Sequence, residues 1–200
     1  SGDSTYGIVD KEVQKDPIEG MPVIHASGLK GAFRELFEYH NNSSVEGIFG
    51  ADTDPSKRSN PDRLKAGKYY FMEARMLFLP VRSSRKPYFM ATSQEIIRRF
   101  IQEQEDLGTG KGEILEGAFA ELLKDEYKPE KGRPVIFSAD AGTVYIDEFD
   151  AVTQPQISAS FGDWPVDGGN IALFHHDDLK EVCKRLPVIA RNYLENGISG

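Results

Sequence analysis

HASGLKGAFREL, residues 25–36, is the stretch on which the reading of this chain turns. Leu29, Ala32, Phe33 and Leu36 recur at helical spacing after Ser27, a residue type that caps helix N-termini. The spacing predicts a helix over 28–40 with Ser27 as its N-cap. That start places Lys30 in the first turn, where the helix dipole disfavours a cation by roughly 0.3–1 kcal/mol. Gly28 and Gly31 flank it, and each glycine costs about 1 kcal/mol of helix propensity against alanine. Two readings stay open. In one, Lys30 and Arg34, four residues apart, are solvated while Leu29, Phe33 and Leu36 pack inward. In the other, an anion supplies the compensation. Unpaired N–H groups at the helix start attract it, the glycines let a phosphate approach, and Lys30 and Arg34 add charge.

The bulk composition narrows the setting. Two hundred residues with 39% hydrophobic and 10% aromatic content suit one globular domain with insertions. A net charge of −8 argues against nonspecific nucleic-acid binding by the whole surface. The charge is uneven, however. Lys57, Arg58, Arg63, Lys65, Lys68, Arg75, Arg82, Arg85 and Lys86 face only Asp62 and Glu73 between 57 and 86, while 103–130 is predominantly acidic. This asymmetry suits a phosphate-facing side and a solvated acidic side, or two ordinary solvated faces. Tyr69, Tyr70, Phe71, Tyr88 and Phe89 interleave with the basic stretch, as base stacking requires; a core role is equally open to them. No apolar run is long enough to cross a bilayer, and the lone Cys183 fits a reducing compartment. A cytoplasmic protein without a membrane partner is expected.

Along the chain, residues 1–20 read as a loop with a short strand near Gly7–Val9, and Pro22–His25 as an extended lead into the helix. The polar segment 41–67 reads as a turn-rich connection, and Tyr69–Val81 as a central strand or a pair of strands. Ser93–Gln104 has helical periodicity, Gly108–Gly112 breaks it, and a second helix is expected at Ala118–Leu123. Pro134–Phe137 and Thr143–Phe149 flank Asp140-Ala141-Gly142 as a predicted hairpin. Ile171–Phe174 reads as a strand, and Asp177–Val188 as a helix capped by Asp177 or Asp178.

Several chemistries lack their pattern. A phosphate loop needs glycine where Glu105 stands and Ser or Thr where Gly112 stands. His175-His176 beside Asp177-Asp178 has no Cys/His ligand framework around it and reads as a helix cap. Cys183 lies in a helical pattern without a Cys/His/Asn signature, and reads as a buried thiol. No Gly-x-Ser-x-Gly elbow occurs.

GIVDKEVQKDPIEGMPVIHASGLKGAFREL, residues 7–36, resembles the signature of the RAMP superfamily of CRISPR effector subunits. There an aspartate-bearing loop precedes a short strand and Ser-x-Leu-Lys-Gly-x-x-Arg; His25-Ala26 stand here where many relatives carry Pro-Gly. IFG at 48–50 and EARMLFLPVRSSRKPYFMATS at 73–93 narrow the likeness to the backbone subunits of type III-B (Cmr) complexes, and LPVIARNYLENGIS, here at 186–199, is similar to a later helix and turn of the same subunits.

The resemblance implies an α+β fold with a ferredoxin-like (RNA-recognition-motif-like) core. It implies one RAMP-type domain over 1–200, with insertions near 41–67 and 103–132 and a sheet incomplete at both chain ends. It also implies a subunit that polymerises with copies of itself and other Cmr subunits along a guide RNA, and cleaves the paired target RNA at regular intervals. On this reading Ser27, Lys30 and Arg34 line the guide-phosphate groove, Arg82 and Ser83 assist, and Asp10 matches the catalytic aspartate. A divalent cation, Mg2+ or Mn2+, would be held weakly and mostly by RNA and water. Asp10 would bind or position it, or help activate the 2′-hydroxyl; no strong metal ligand set is assigned. The alternatives are a guide-binding scaffold without cleavage, a guide-processing RAMP ribonuclease, for which only His25 lies near the signature as an acid–base group, and an unrelated small-molecule enzyme.

Overall fold

Where the opening helix begins is set by a small antiparallel pairing. In the computed structural model, residues 13–40, 43–52, 54, 56, 65–139, 142–157 and 166–186 are described. The chain divides into two compact units, the first up to Arg75 and the second spanning Met76–Leu186.

In the first unit, Val23–Ile24 (β1) pairs with Ala74–Arg75 (β2), Val23 opposite Arg75. Pairing ends at Ile24, and helix α1 (Ala26–Tyr39) follows at once with His25 as N-cap, in place of the expected Ser27. Its first bond runs from the Leu29 N–H to the His25 carbonyl at 3.0 Å. His25 has φ −60°, the value a proline ring imposes, so this turn needs neither a proline nor a glycine to form. Lys30 is therefore the fifth helical residue, two positions further in than the sequence predicts and past the first turn. The 41–67 connection also holds a helix, α2 (Val45–Phe49), too short to show a period. Gly50 ends it at φ +92°, and a Cβ on Gly67 would run into the Ile48 carbonyl, so here the backbones truly need glycine. Phe37 meets Phe49 edge-on at 5.4 Å, and Phe49 stacks on Phe71 at 5.3 Å. The inward packing expected for Phe33 and Leu36 is only partial: they are 42% and 49% exposed, and α1 buries no residue completely.

The second unit is a mixed sheet with helices, so the α+β class holds. Its elements are β3 (Leu79–Arg82), β4 (Tyr88–Thr92), α3 (Gln94–Asp106), α4 (Gly112–Phe119), β5 (Val135–Phe137), β6 (Val144–Ile146), β7 (Phe149–Gln154), β8 (Ile171–Leu173) and α5 (His176–Lys184). The strand order is β3-β4-β8-β5-β7-β6, with β4–β8 and β5–β7 parallel and the other pairs antiparallel. On one face Val135, Phe137, Ile171 and Leu173 pack with Ile97, Ile101, Phe119 and Leu122 in a single core. The sheet curls until its two edge strands meet. Ser83 forms an antiparallel bridge with Ile146, and the Ser84 and Asp147 N–H groups donate to the Tyr145 and Arg82 carbonyls, both at 2.9 Å.

Four expectations shift here. Of the two readings of Tyr69–Val81 the pair of strands holds and the central strand does not: β2 belongs to the small sheet and β3 lies at an edge of the large one. The helix expected at 118–123 is α4 at 112–119, because Ile114, Leu115, Ala118 and Phe119 carry the period. The predicted hairpin does not form. The fully buried β5 pairs in parallel with β7, and the tight turn is Asp147-Glu148 between β6 and β7. Finally, α5 is capped by His175, whose Nδ1 accepts from the Asp177 N–H. The strand near Gly7–Val9 and the residues 187–200 lie outside the described residues.

Candidate nucleic-acid interface

Helix α1 carries three of the five residues predicted to bind RNA. Ser27 is exposed at the second helical position and makes no capping bond. Lys30 is half-buried and has no ion pair with another described residue. Nothing lies within 4 Å of a Cβ built on Gly28 or Gly31, so the internal packing gives no reason for either glycine. Arg34, one turn on, is engaged inside the unit. Its Nε donates to Glu38 at 2.8 Å and Nη1 to the Gly50 carbonyl at 3.2 Å, with Asp52 3.5 Å from Nη2. The first turn of α1 contains no acid. Lys30 thus brings a cation to the open side of the helix, while Arg34 ties the helix to the loop after α2. His25 is held by Glu73 at 3.3 Å, and Arg75 reaches the other Glu73 oxygen at 3.4 Å.

The remaining pair, Arg82 and Ser83, stands in the second unit at the β3–β4 turn. Arg82 is 83% exposed and pairs with Asp147 at 2.9 Å. Arg185 takes the other Asp147 oxygen at 3.2 Å, and Glu148 at 2.7 Å. Ser83 serves the turn itself, donating to the Lys86 carbonyl and accepting from the Arg85 and Lys86 N–H groups. Lys86 is internal in function: its Nζ donates to the Gly169 carbonyl and to Asn170 Oδ1, and lies 4.3 Å over the Phe89 ring. Burial holds its pKa below the ordinary lysine value, with Asp167 pulling the other way. Sequence reasoning missed Asp147, the anion that organises this corner. Its signal was a lone Asp-Glu between apolar residues, the composition of a turn that tolerates the observed φ of +53°.

The aromatic series divides. Phe71 and Phe89 belong to the packing, whereas Tyr69, Tyr70 and Tyr88 are 64%, 98% and 48% exposed. Cys183 is fully buried, as the helical pattern predicts. Asp10 lies outside the described residues. Among those that are described, no three His, Cys, Asp or Glu side chains gather as a metal site, and no helix is long and apolar enough to cross a membrane.

The sequence model of the RAMP superfamily matches residues 7–163, which include β1, α1 and most of the second unit's sheet. The chain belongs to the RAMP superfamily. A curated relative, the CRISPR system Cmr endoribonuclease Cmr4 of Pyrococcus furiosus, is 32% identical over 105 residues, covering 51% of this chain and 34% of that protein. The chain thus spans about a third of that relative's length in the match. Among solved structures, oligomeric Cmr4 from Pyrococcus furiosus superposes with a TM-score of 0.57 at 20% identity, covering 88% of this chain and 67% of the other. A type III-B Cmr-beta complex bound to cognate target RNA contains a chain that matches with a TM-score of 0.64 at 20% identity, over 92% of this chain and 64% of the other. These likenesses establish a shared fold.

Proposed function

We propose that this RAMP protein is a guide-RNA-binding backbone subunit of a type III-B CRISPR effector, with Asp10 cutting the paired target RNA. The observation that carries the binding half is Lys30. It is a cation on α1 with no ion pair among the described residues, beside two glycines that the packing does not require. A guide phosphate meeting that surface gains charge-assisted contacts, and the glycines leave it room. The names of the relatives support the catalytic half: one is an endoribonuclease, and another structure holds target RNA. Other copies of this chain, further Cmr subunits and a cytoplasmic setting belong to the same proposal.

A divalent ion, when bound, would neutralise charge at the scissile phosphate, and an aspartate oxygen suits such a hard cation. The chain's own contribution is Asp10, brought to the target strand while α1 fixes the guide. Asp10→Ala in the complete complex, with guide and labelled target in Mg2+, tests this. Loss of the periodic cuts with target binding retained makes Asp10 catalytic. Unchanged cuts make the chain a guide-holding scaffold. Lys30→Ala tests the binding half: guide affinity falls and the salt slope shrinks by about 1.

A further inference from the structure

We propose that the second unit carries a stacking surface for unpaired RNA bases, formed by Tyr88 and Tyr145 with Arg82 beside them. It rests on the reading of the chain as an RNA-binding subunit, and adds a contact region outside α1. The sheet register brings these residues together from distant parts of the sequence. Arg82 lies directly opposite Tyr88 across β3 and β4, so their side chains share a face. Across the closure, the Ser83–Ile146 bridge sets Arg82 opposite Asp147 and Ser84 opposite Tyr145. Alternate strand residues point the same way, which puts Tyr145 on the face of Arg82 and Tyr88. The Arg82–Asp147 pair and the bond from the Tyr145 N–H to Ser84 Oγ at 3.0 Å agree with that register.

The intervening residues explain why this surface is firm. Val81, Phe89, Val144 and Ile146 point to the opposite face and are at most 6% exposed. Tyr88 and Tyr145 are 48% and 50% exposed, on strands fixed by that packing. Large rings left half bare on a rigid backing suit nucleobases, because every base offers a π face. The charge points to RNA over a protein partner. Asp147 and Glu148 are engaged by Arg82 and Arg185 within the fold, while Arg82 remains 83% exposed and Arg85 is exposed in the same turn. Phosphates are therefore expected on the β3–β4 side. Asp150, opposite Tyr145 on β7, bounds the surface on the other.

The test uses the full chain with a fluorescein-labelled oligouridylate, and the same length annealed to its complement. Tyr88→Ala and Tyr145→Ala should each weaken single-strand binding about tenfold. The Phe variants should retain affinity, thermal melts should be unchanged, and ultraviolet crosslinks to uridine should map to Tyr88 and Tyr145. Arg82→Gln should reduce the salt slope. If Lys30→Ala weakens binding but all the tyrosine variants bind normally, this surface is refuted and the guide-binding reading stands. If the native chain binds no RNA, both fail. If the tyrosine variants leave RNA binding intact but abolish self-association or capture of another Cmr subunit, the surface is a protein interface and the proposal is overturned.

Discussion

Helices α1 and α3 are nearly equal in length and both amphipathic, yet they end in opposite situations. Over 13 residues, α3 buries Gln94, Ile96, Ile97 and Ile101; over 14, α1 buries none. A period in the sequence specifies which side of a helix is apolar, and nothing about what will cover it. Where α3 has a sheet behind it, Ile97 is fully buried. Where α1 has α2 and the segment around Phe71, its rings touch without enclosure. The second unit is organised around a core. The described part of the first is organised around a surface, which suits a helix proposed to face RNA.

That contrast can be broken most sharply in the core. Phe119→Ala should destabilise the second unit by about 3–5 kcal/mol in urea unfolding. Phe33→Ala on α1, where the ring is 42% exposed, should cost well under half as much. Equal losses would show that α1 is as firmly packed as the core of the second unit. Ser93→Ala comes next. Its hydroxyl caps α3 by accepting from the Ile96 N–H, and pairs with His176 Nδ1 at 2.9 Å, so about 1–2 kcal/mol should be lost. Arg34→Ala should cost about 1 kcal/mol, through the Gly50 carbonyl and the Glu38 and Asp52 carboxylates, measured as a lower melting point of the first unit. The smallest effect has the opposite sign. Gly28→Ala or Gly31→Ala should stabilise α1 by about 0.5–1 kcal/mol, because the added methyl meets nothing. Each should nevertheless weaken guide-RNA binding. A variant more stable in melts and unchanged in RNA affinity would remove the phosphate argument for the glycines.

The same contrast marks what the sequence made legible. α3, strand β8 and the buried Cys183 were readable because apolar runs and helical period agreed locally. The start of α1 was misplaced because Ser27 is a good cap by type, while β1–β2 pairing, a contact between residues some 50 positions apart, ends the strand at Ile24. Partnering in the large sheet was hidden for a related reason. A strand buried on both faces, such as Val135–Phe137, names no neighbour, and its parallel partner β7 lies beyond the intervening strand β6. At the candidate site, Lys30 and Arg34 were legible as one basic helix face. That Arg34 is bound to its own loop while Lys30 is not depends on Gly50 and Asp52, which no local pattern connects to α1.

The closure at Ser83 and Ile146 also has a consequence in time. The β3–β4 and β6–β7 hairpins are built from neighbouring residues and can form early, whereas the bridge between them closes a loop of more than sixty positions. It is expected to fasten after the hairpins exist, as a late step in folding. Pulsed hydrogen exchange should then find the Ser84 and Asp147 amides among the last in the second unit to gain protection. During synthesis, β3 would wait with its outer edge unpaired until β6 had left the ribosome, and that interval is when this chain is most exposed to pairing with the wrong strand.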